Sequence, residues 1–182
     1  MRRCHRNSKR VKCLPANRRA STREHLLGRK RYQKLAYLSH RKADDNVQLH
    51  FLKKAAGPYS PLARYQGPEK IALKNGYVKR AKPGKFEGLV VGDKISQIDL
   101  CVLRHPVCEA VNGISDSFRY RSNDELELLT TVDFAVLDLN LANTAVSSGA
   151  VRHIIARNTE WTAKLKREIF SDTNIARALA EL

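Results

Sequence analysis

An all-β core, a small closed barrel of five antiparallel strands at residues 85–157, is what this 182-residue sequence predicts. A basic, partly helical N-terminal extension (1–84) and a helical C-terminal tail (158–182) flank it. Three observations lead there. Two apolar runs, Leu89-Val90-Val91 and Leu100-Cys101-Val102-Leu103, flank the turn-forming cluster Gly92-Asp93-Lys94, the pattern of an antiparallel hairpin. Gly88 and Gly92 lie on one side of the first strand, which suits the sharp bend of a barrel corner. Short apolar or alternating runs follow without a long intervening helix, and that order favours a barrel over a parallel sheet.

Charge divides the chain. Up to Lys85 there are 24 Lys and Arg against four acids (Glu24, Asp44, Asp45 and Glu69), whereas from Phe86 onward there are ten against 14. The formal charge of +16 therefore resides in the first half. An electrostatic arm on a faintly acidic body has polyphosphate as its usual partner, with an anionic membrane surface as the rival. No apolar run approaches the length needed to span a bilayer, and no secretory core follows the start, so a soluble or peripheral chain is expected. Cys4, Cys13, Cys101 and Cys108 form no disulfide framework. The spacing of Cys4, His5 and Cys13 fits no compact ligand pair, so free thiols in a reducing compartment are expected and no metal.

Within the extension, Arg2, Arg3, Arg6, Lys9, Arg10, Lys12, Arg18 and Arg19 occupy a stretch with no acid, expected to be disordered until it meets a counter-charge. Basic, hydroxylated and acid-free, it also has the composition of a mitochondrial import sequence, retained here as a tail. Ser21-Thr22-Arg23-Glu24 has the form of a capping box, and a basic helix to about residue 39 follows, with Leu26, Leu27, Leu35 and Leu38 on it and Arg29, Lys30 and Arg31 among its cations. Asp44 and Asp45 sit in the first turn of a second expected helix carrying Val47 and Phe51, with Lys53 and Lys54 at its end and Gly57 as its stop. From Gly57 to Gly84, four prolines and two internal glycines read as a linker that threads rather than folds. There Tyr59, Tyr65 and Tyr77 alternate with Arg64, Lys70, Lys74, Lys79 and Arg80, so bases could stack beside phosphate contacts; packing of each tyrosine on its own domain is the alternative.

In the body, His105-Pro106 ends the second strand and residues 107–116 make a loop. Phe118 and Tyr120, alternating with Arg119 and Arg121, form the third strand; Ser122-Asn123-Asp124-Glu125 turns the chain. Val132, Phe134 and Val136 form the fourth, and Val151 to Ala156 the fifth. In the tail, Asn158 or Thr159 caps a helix with Trp161, Leu165 and Ile169 at a spacing of four, and Ser171 starts another carrying Ile175, Leu179 and Leu182.

With five strands in this order, the run Phe86-Glu87-Gly88-Leu89-Val90-Val91-Gly92-Asp93-Lys94 resembles the first strand of the bacterial-type small-subunit ribosomal protein seventeen family. His105-Pro106, Asp124-Glu125 and Val132-Asp133 match further points of that family's pattern over residues 85–157. The resemblance implies an oligonucleotide-binding-fold barrel and a structural role in a small ribosomal subunit. Its partners would be small-subunit rRNA and neighbouring ribosomal proteins, without a small-molecule substrate. Gln97 stands where the family has Lys, and Leu141 to Ser147 where it has an Arg-Pro and several Lys, so most barrel cations that would meet phosphate are missing. The extension and the import-like start imply an organellar version, mitochondrial or of another organelle. Of the family's RNA-facing positions Lys94 is kept. Arg104, Arg119 and Arg121 join it from this sequence alone, and the arm adds its own cations together with Lys79, Arg80, Lys82 and Lys85. The competing expectation is a free, basic-armed protein that binds or packages single-stranded nucleic acid.

No enzyme is expected. His105 and His153 fall on different strands, no Ser or Cys sits in a nucleophile elbow, and there is neither a phosphate-cradling glycine loop nor a paired-carboxylate motif, so no cofactor is expected either.

Overall fold

A computed structural model describes residues 26–43, 50–97 and 106–182 of the chain, apart from the side chains of 106–109. Among these residues the elements run β1 (Leu27–Gly28), α1 (Arg29–Lys42), β2 (Leu52–Lys54), β3 (Gly57–Tyr59), α2 (Pro61–Tyr65), α3 (Pro68–Lys74), β4 (Val78–Ala81), β5 (Gly88–Val91), α4 (Pro106–Phe118), α5 (Asn123–Leu141), α6 (Ser148–Arg157) and α7 (Asp172–Glu181). Short 3-10 turns cover Ile95–Gln97, Thr162–Lys166 and Glu168–Phe170.

The organising element is α5. Ser122 Oγ accepts a hydrogen bond from the Glu125 amide at 3.1 Å, and the Glu125 carboxylate accepts one from the Ser122 amide at 2.8 Å. This capping box satisfies two of the free donors at the helix start. No Gly or Pro interrupts the chain before Leu141, and Leu126 through Ala135 are all buried. A helix buried on every side is a core element, and α1, α6, α7 and β3 pack around it. Aromatic rings cross this core in a row: Tyr37 meets Phe51 edge-on at 5.3 Å and Phe134 in a stack at 5.8 Å, and Phe134 meets Trp161 edge-on at 6.0 Å. Such pairs contribute about 0.5–1.5 kcal/mol each beyond their buried area. Trp161 Nε1 donates to the Lys54 carbonyl at 3.0 Å and ties the β2–β3 hairpin to the C-terminal segment.

The expected five-stranded barrel is not present. Among the described residues only its first strand is found, as β5, and β5 pairs antiparallel with β4 on one side and β1 on the other in a three-stranded open sheet. Residues 107–116, expected as a loop, are helical; Phe118 ends α4, and Arg119-Tyr120 form a turn. Val132, Phe134 and Val136 lie inside α5, and Val151 to Ala156 inside α6, which Ser147 caps through the Ala150 amide. Alternating hydrophobicity over three positions marks a strand only when one face is wet. In a helix buried all round it arises by chance, and the length of the uninterrupted stretch is the better guide. The partner expected for β5, residues 100–103, lies outside the described residues.

The expected linker folds. It carries β3, two short helices opened by Pro61 and Pro68, where the lost amide costs nothing, and β4. Lys53 and Lys54, expected at a helix end, belong to β2, and Asp44, Asp45 and Val47 are not among the described residues. The boundary expected after residue 84 falls inside the loop joining β4 to β5, while Tyr37, Leu38 and Phe51 share one hydrophobic cluster with α5, α6 and α7. In the tail, Thr162–Lys166 and Glu168–Phe170 are 3-10 turns rather than a helix, and Ser171 caps α7.

The far end of the β4–β5 pair depends on a close approach. The Gly92 amide donates to the Tyr77 carbonyl at 2.8 Å and the Lys94 amide to the Gly76 carbonyl at 3.1 Å. A Cβ on Gly92 would stand 2.2 Å from that Gly76 oxygen. Gly92→Ala is therefore expected to lower folding stability by roughly 1–3 kcal/mol in urea denaturation. A loss under about 0.5 kcal/mol would mean that this end opens freely.

Candidate nucleic-acid interface

The cations expected to meet RNA separate into three groups. Arg2, Arg3, Arg6, Lys9, Arg10, Lys12, Arg18, Arg19 and Arg104 lie outside the described residues. Arg31 and Arg121 are committed to the fold. Arg31 Nη1 donates to the Arg121 carbonyl at 2.5 Å, and Nη2 to the carbonyls of Phe118 and Arg119 at 2.6 Å each. A guanidinium thus satisfies the orphan acceptors where α4 ends, with its charge at the negative pole of the helix. Arg121 in turn pairs with Glu181 at 2.6 Å and Glu125 at 3.8 Å.

The third group surrounds the β4–β5 hairpin. Arg80 lies 3.6 Å from Glu69 and 3.7 Å from Glu87, and Arg29 lies 3.9 Å from the same Glu87. Lys79 pairs with exposed Asp93 at 3.2 Å. Lys82 and Lys85 project from the loop, Lys94 from the turn after β5, Lys30 from the first turn of α1 and Arg119 from the turn after α4. All five are exposed and make no ion pair among the described residues. The structure therefore brings Arg29, Arg80, Lys82 and Lys85 to one end of the hairpin and puts Lys79 and Lys94 at the other.

At the loop end a cleft of about 540 Å³ opens, with Leu26, Gly28 and Arg31 on one wall, Pro83, Phe86 and Glu87 on another, and Ser122 and Asn123 at the start of α5 closing it. Phe86 is 72% exposed. Sequence reading placed Phe86 at the start of a barrel strand and missed the cleft, because the cleft unites residues some 95 positions apart. The tyrosines singled out for stacking are less available. Tyr59 and Tyr77 are half-buried, and Tyr65 is exposed with the Arg64 guanidinium 4.6 Å from its ring centre. His153, expected on a strand, is exposed on α6.

A second concentration of charge lies inside. Glu127 accepts from Lys164 and, at 2.8 Å, from Arg167, which also reaches Asp124 at 2.8 Å. Lys34 is buried nearby on α1 and donates to the Pro58 carbonyl at 3.1 Å. Glu127 and Lys164 are buried, and the cluster joins α1, β3, α5 and the 3-10 segment. Beside it, Asp133 accepts from Tyr37 at 2.5 Å and from Arg41 at 3.1 Å. Burial, and then the Asp133 carboxylate, push the Tyr37 phenol well above its ordinary value. The hint that Lys34 is internal was its position three and four residues before Tyr37 and Leu38, on the apolar face of the helix.

Burial lowers the Lys34 ammonium from its ordinary 10.5 to about 7, against the opposing pull of Glu127. The sign of the resulting pH dependence is fixed. The folded chain releases this proton near pH 7 and the unfolded chain keeps it to about 10.5, so the unfolded state binds more protons in between. Stability attributable to Lys34 should rise with pH from about 7 towards 9, and Lys34→Met should flatten that rise in denaturation curves. An unchanged slope would mean that Lys34 keeps its proton in the fold.

An apolar groove of about 490 Å³ runs beside Phe51, Leu62 and Pro68, with His40 and His50 at its edge. No group of three or more His, Cys, Asp or Glu able to hold a metal occurs among the described residues, and none of their helices is long and apolar enough to cross a membrane. Compared with protein-family models and with curated proteins, the chain matches none.

Proposed function

We propose that this protein binds nucleic acid through the phosphate backbone, with the cationic leader and the loop end of the β4–β5 hairpin as its contact surface. The observation that carries this reading is the asymmetry of charge: 24 cations against four acids up to Lys85. Ion pairs with Lys53, Lys164 and Arg167 absorb acids of the second half, and Lys82 and Lys85 of the hairpin loop make no ion pair among the described residues. Such binding is largely independent of sequence and strongly dependent on salt, because each neutralised phosphate releases a counterion. The ribosomal seat that the barrel resemblance implied is not carried forward. What remains of that motif is one strand, β5, and the turn at Gly92-Asp93-Lys94.

Fluorescence anisotropy of the full chain with a labelled 20-mer, repeated from 50 to 300 mM salt, tests the reading. A linear fall of log K against log salt with a slope of several units is expected. Binding to anionic vesicles with no measurable affinity for the oligonucleotide would overturn it in favour of a membrane surface.

A further inference from the structure

We propose that the cleft beneath the β4–β5 loop is a subsite for one unpaired nucleotide, with Phe86 as the platform on which its base stacks and Lys82 and Lys85 as the partners of its phosphates. This rests on the nucleic-acid reading above and narrows it to single strands.

Four observations converge. The first is Phe86 itself, a large aromatic left 72% exposed at the tip of a hairpin, where it adds nothing to the core. The second is that the tip is held rather than loose. The Phe86 amide donates to the Pro83 carbonyl at 3.4 Å, and Gly84, with φ of +66°, takes the left-handed position of that turn, which a side chain would resist. Proline restricts the backbone at the entry to the turn, which reduces the freedom to be lost when a base settles on the ring. The third is charge. Glu87, on the cleft wall, already stands between Arg29 and Arg80, and the Glu125 carboxylate is taken up by the Ser122 amide, while Lys82 and Lys85, exposed and next in sequence to the lining residues Pro83 and Phe86, carry their charges on the loop beside the cleft. The fourth is connection. Leu26 lines the cleft and is the residue at which the cationic leader joins the described body, so a strand gripped by the leader starts next to this opening.

The volume, about 540 Å³, is within the range that accepts a small-molecule-sized ligand. Asn123 also lines the cleft, and its amide can both donate and accept, which suits any base edge and gives no strong preference among bases. A paired base has both faces covered by its neighbours and cannot offer one to Phe86. The site therefore discriminates strandedness, not sequence.

The test uses the full chain and its variants Phe86→Ala, Phe86→Trp and Lys82→Gln/Lys85→Gln against two probes at one salt concentration: a labelled oligouridine 20-mer and an RNA duplex of equal length. Phe86→Ala should weaken single-strand binding about tenfold and leave duplex binding unchanged. Phe86→Trp should restore it, with indole fluorescence quenched as oligouridine is added; the native Trp161 is buried and contributes a constant background. Lys82→Gln/Lys85→Gln should weaken both probes and make the salt slope shallower by about 1–2. Equal affinity of Phe86→Ala and the parent for oligouridine, or an equal loss on the duplex, overturns the stacking subsite. In that case an effect of the lysine pair still upholds phosphate binding. If the parent binds neither probe, the nucleic-acid reading falls and the subsite with it.

Discussion

Glu127→Gln is expected to cost about 3–5 kcal/mol of folding stability. Glu127 and Lys164 are both inside the fold, with side chains 8% and 3% exposed, and Arg167 shares the same carboxylate oxygen. Burial lowers the Lys164 ammonium, and the hydrogen bond and charge of Glu127 oppose that shift. Without the Glu127 charge, the buried Lys164 and Lys34 would be left close to each other with no carboxylate between them. Arg167, 38% exposed, can still turn outward to Asp124. The double variant Glu127→Leu/Lys164→Met removes both charges and fills much of their volume, and it should recover most of the loss. Urea midpoints of the three proteins decide the matter. If the single variant loses less than about 1 kcal/mol, the cluster is hydrated in solution and does not lock the helices together.

Replacing Arg2, Arg3, Arg6, Lys9, Arg10, Lys12, Arg18 and Arg19 by Gln in the full chain removes eight positive charges, half of the formal +16. Affinity for a single-stranded oligonucleotide should then fall by at least ~10³-fold at 0.1 M salt, and the salt slope should become shallower by about 3–6, as expected if between half and all of these side chains meet phosphate. Urea denaturation should not move if the eight side chains serve only the polyanion. An unchanged slope would transfer the whole electrostatic grip to the body.

Charge segregation, strand β5, the cap at Ser171 and the turn at Gly92-Asp93-Lys94 were legible in the sequence, each being set within a few residues or by composition. The helical core was not. Ser122-x-x-Glu125 has the same form as Ser21-x-x-Glu24, but between two stretches with the alternation of strands the same four residues equally suit a turn. The stretch after it was parsed by the alternation of Val132, Phe134 and Val136. What overrode that alternation is tertiary: α5 is enclosed by α1, α6, α7 and β3, so the faces of the helix need not differ in polarity and the 3.6-residue signal is weak. Arg31 and Arg121 illustrate the same limit for function. In a run of basic residues nothing local distinguishes a side chain that reaches carbonyls some 90 positions away from one that stays in solvent.

Strand β1 is two residues long, lies at the edge of its sheet and follows directly on the leader. A pull applied through the leader, as when a captured polymer is dragged past, would load the rung between Leu27–Gly28 and Gly88–Leu89 before any force reached α5. A two-residue edge rung can open and re-form at little cost while α5 keeps its packing, so if the leader holds a polymer, β1 would yield first and act as a mechanical fuse.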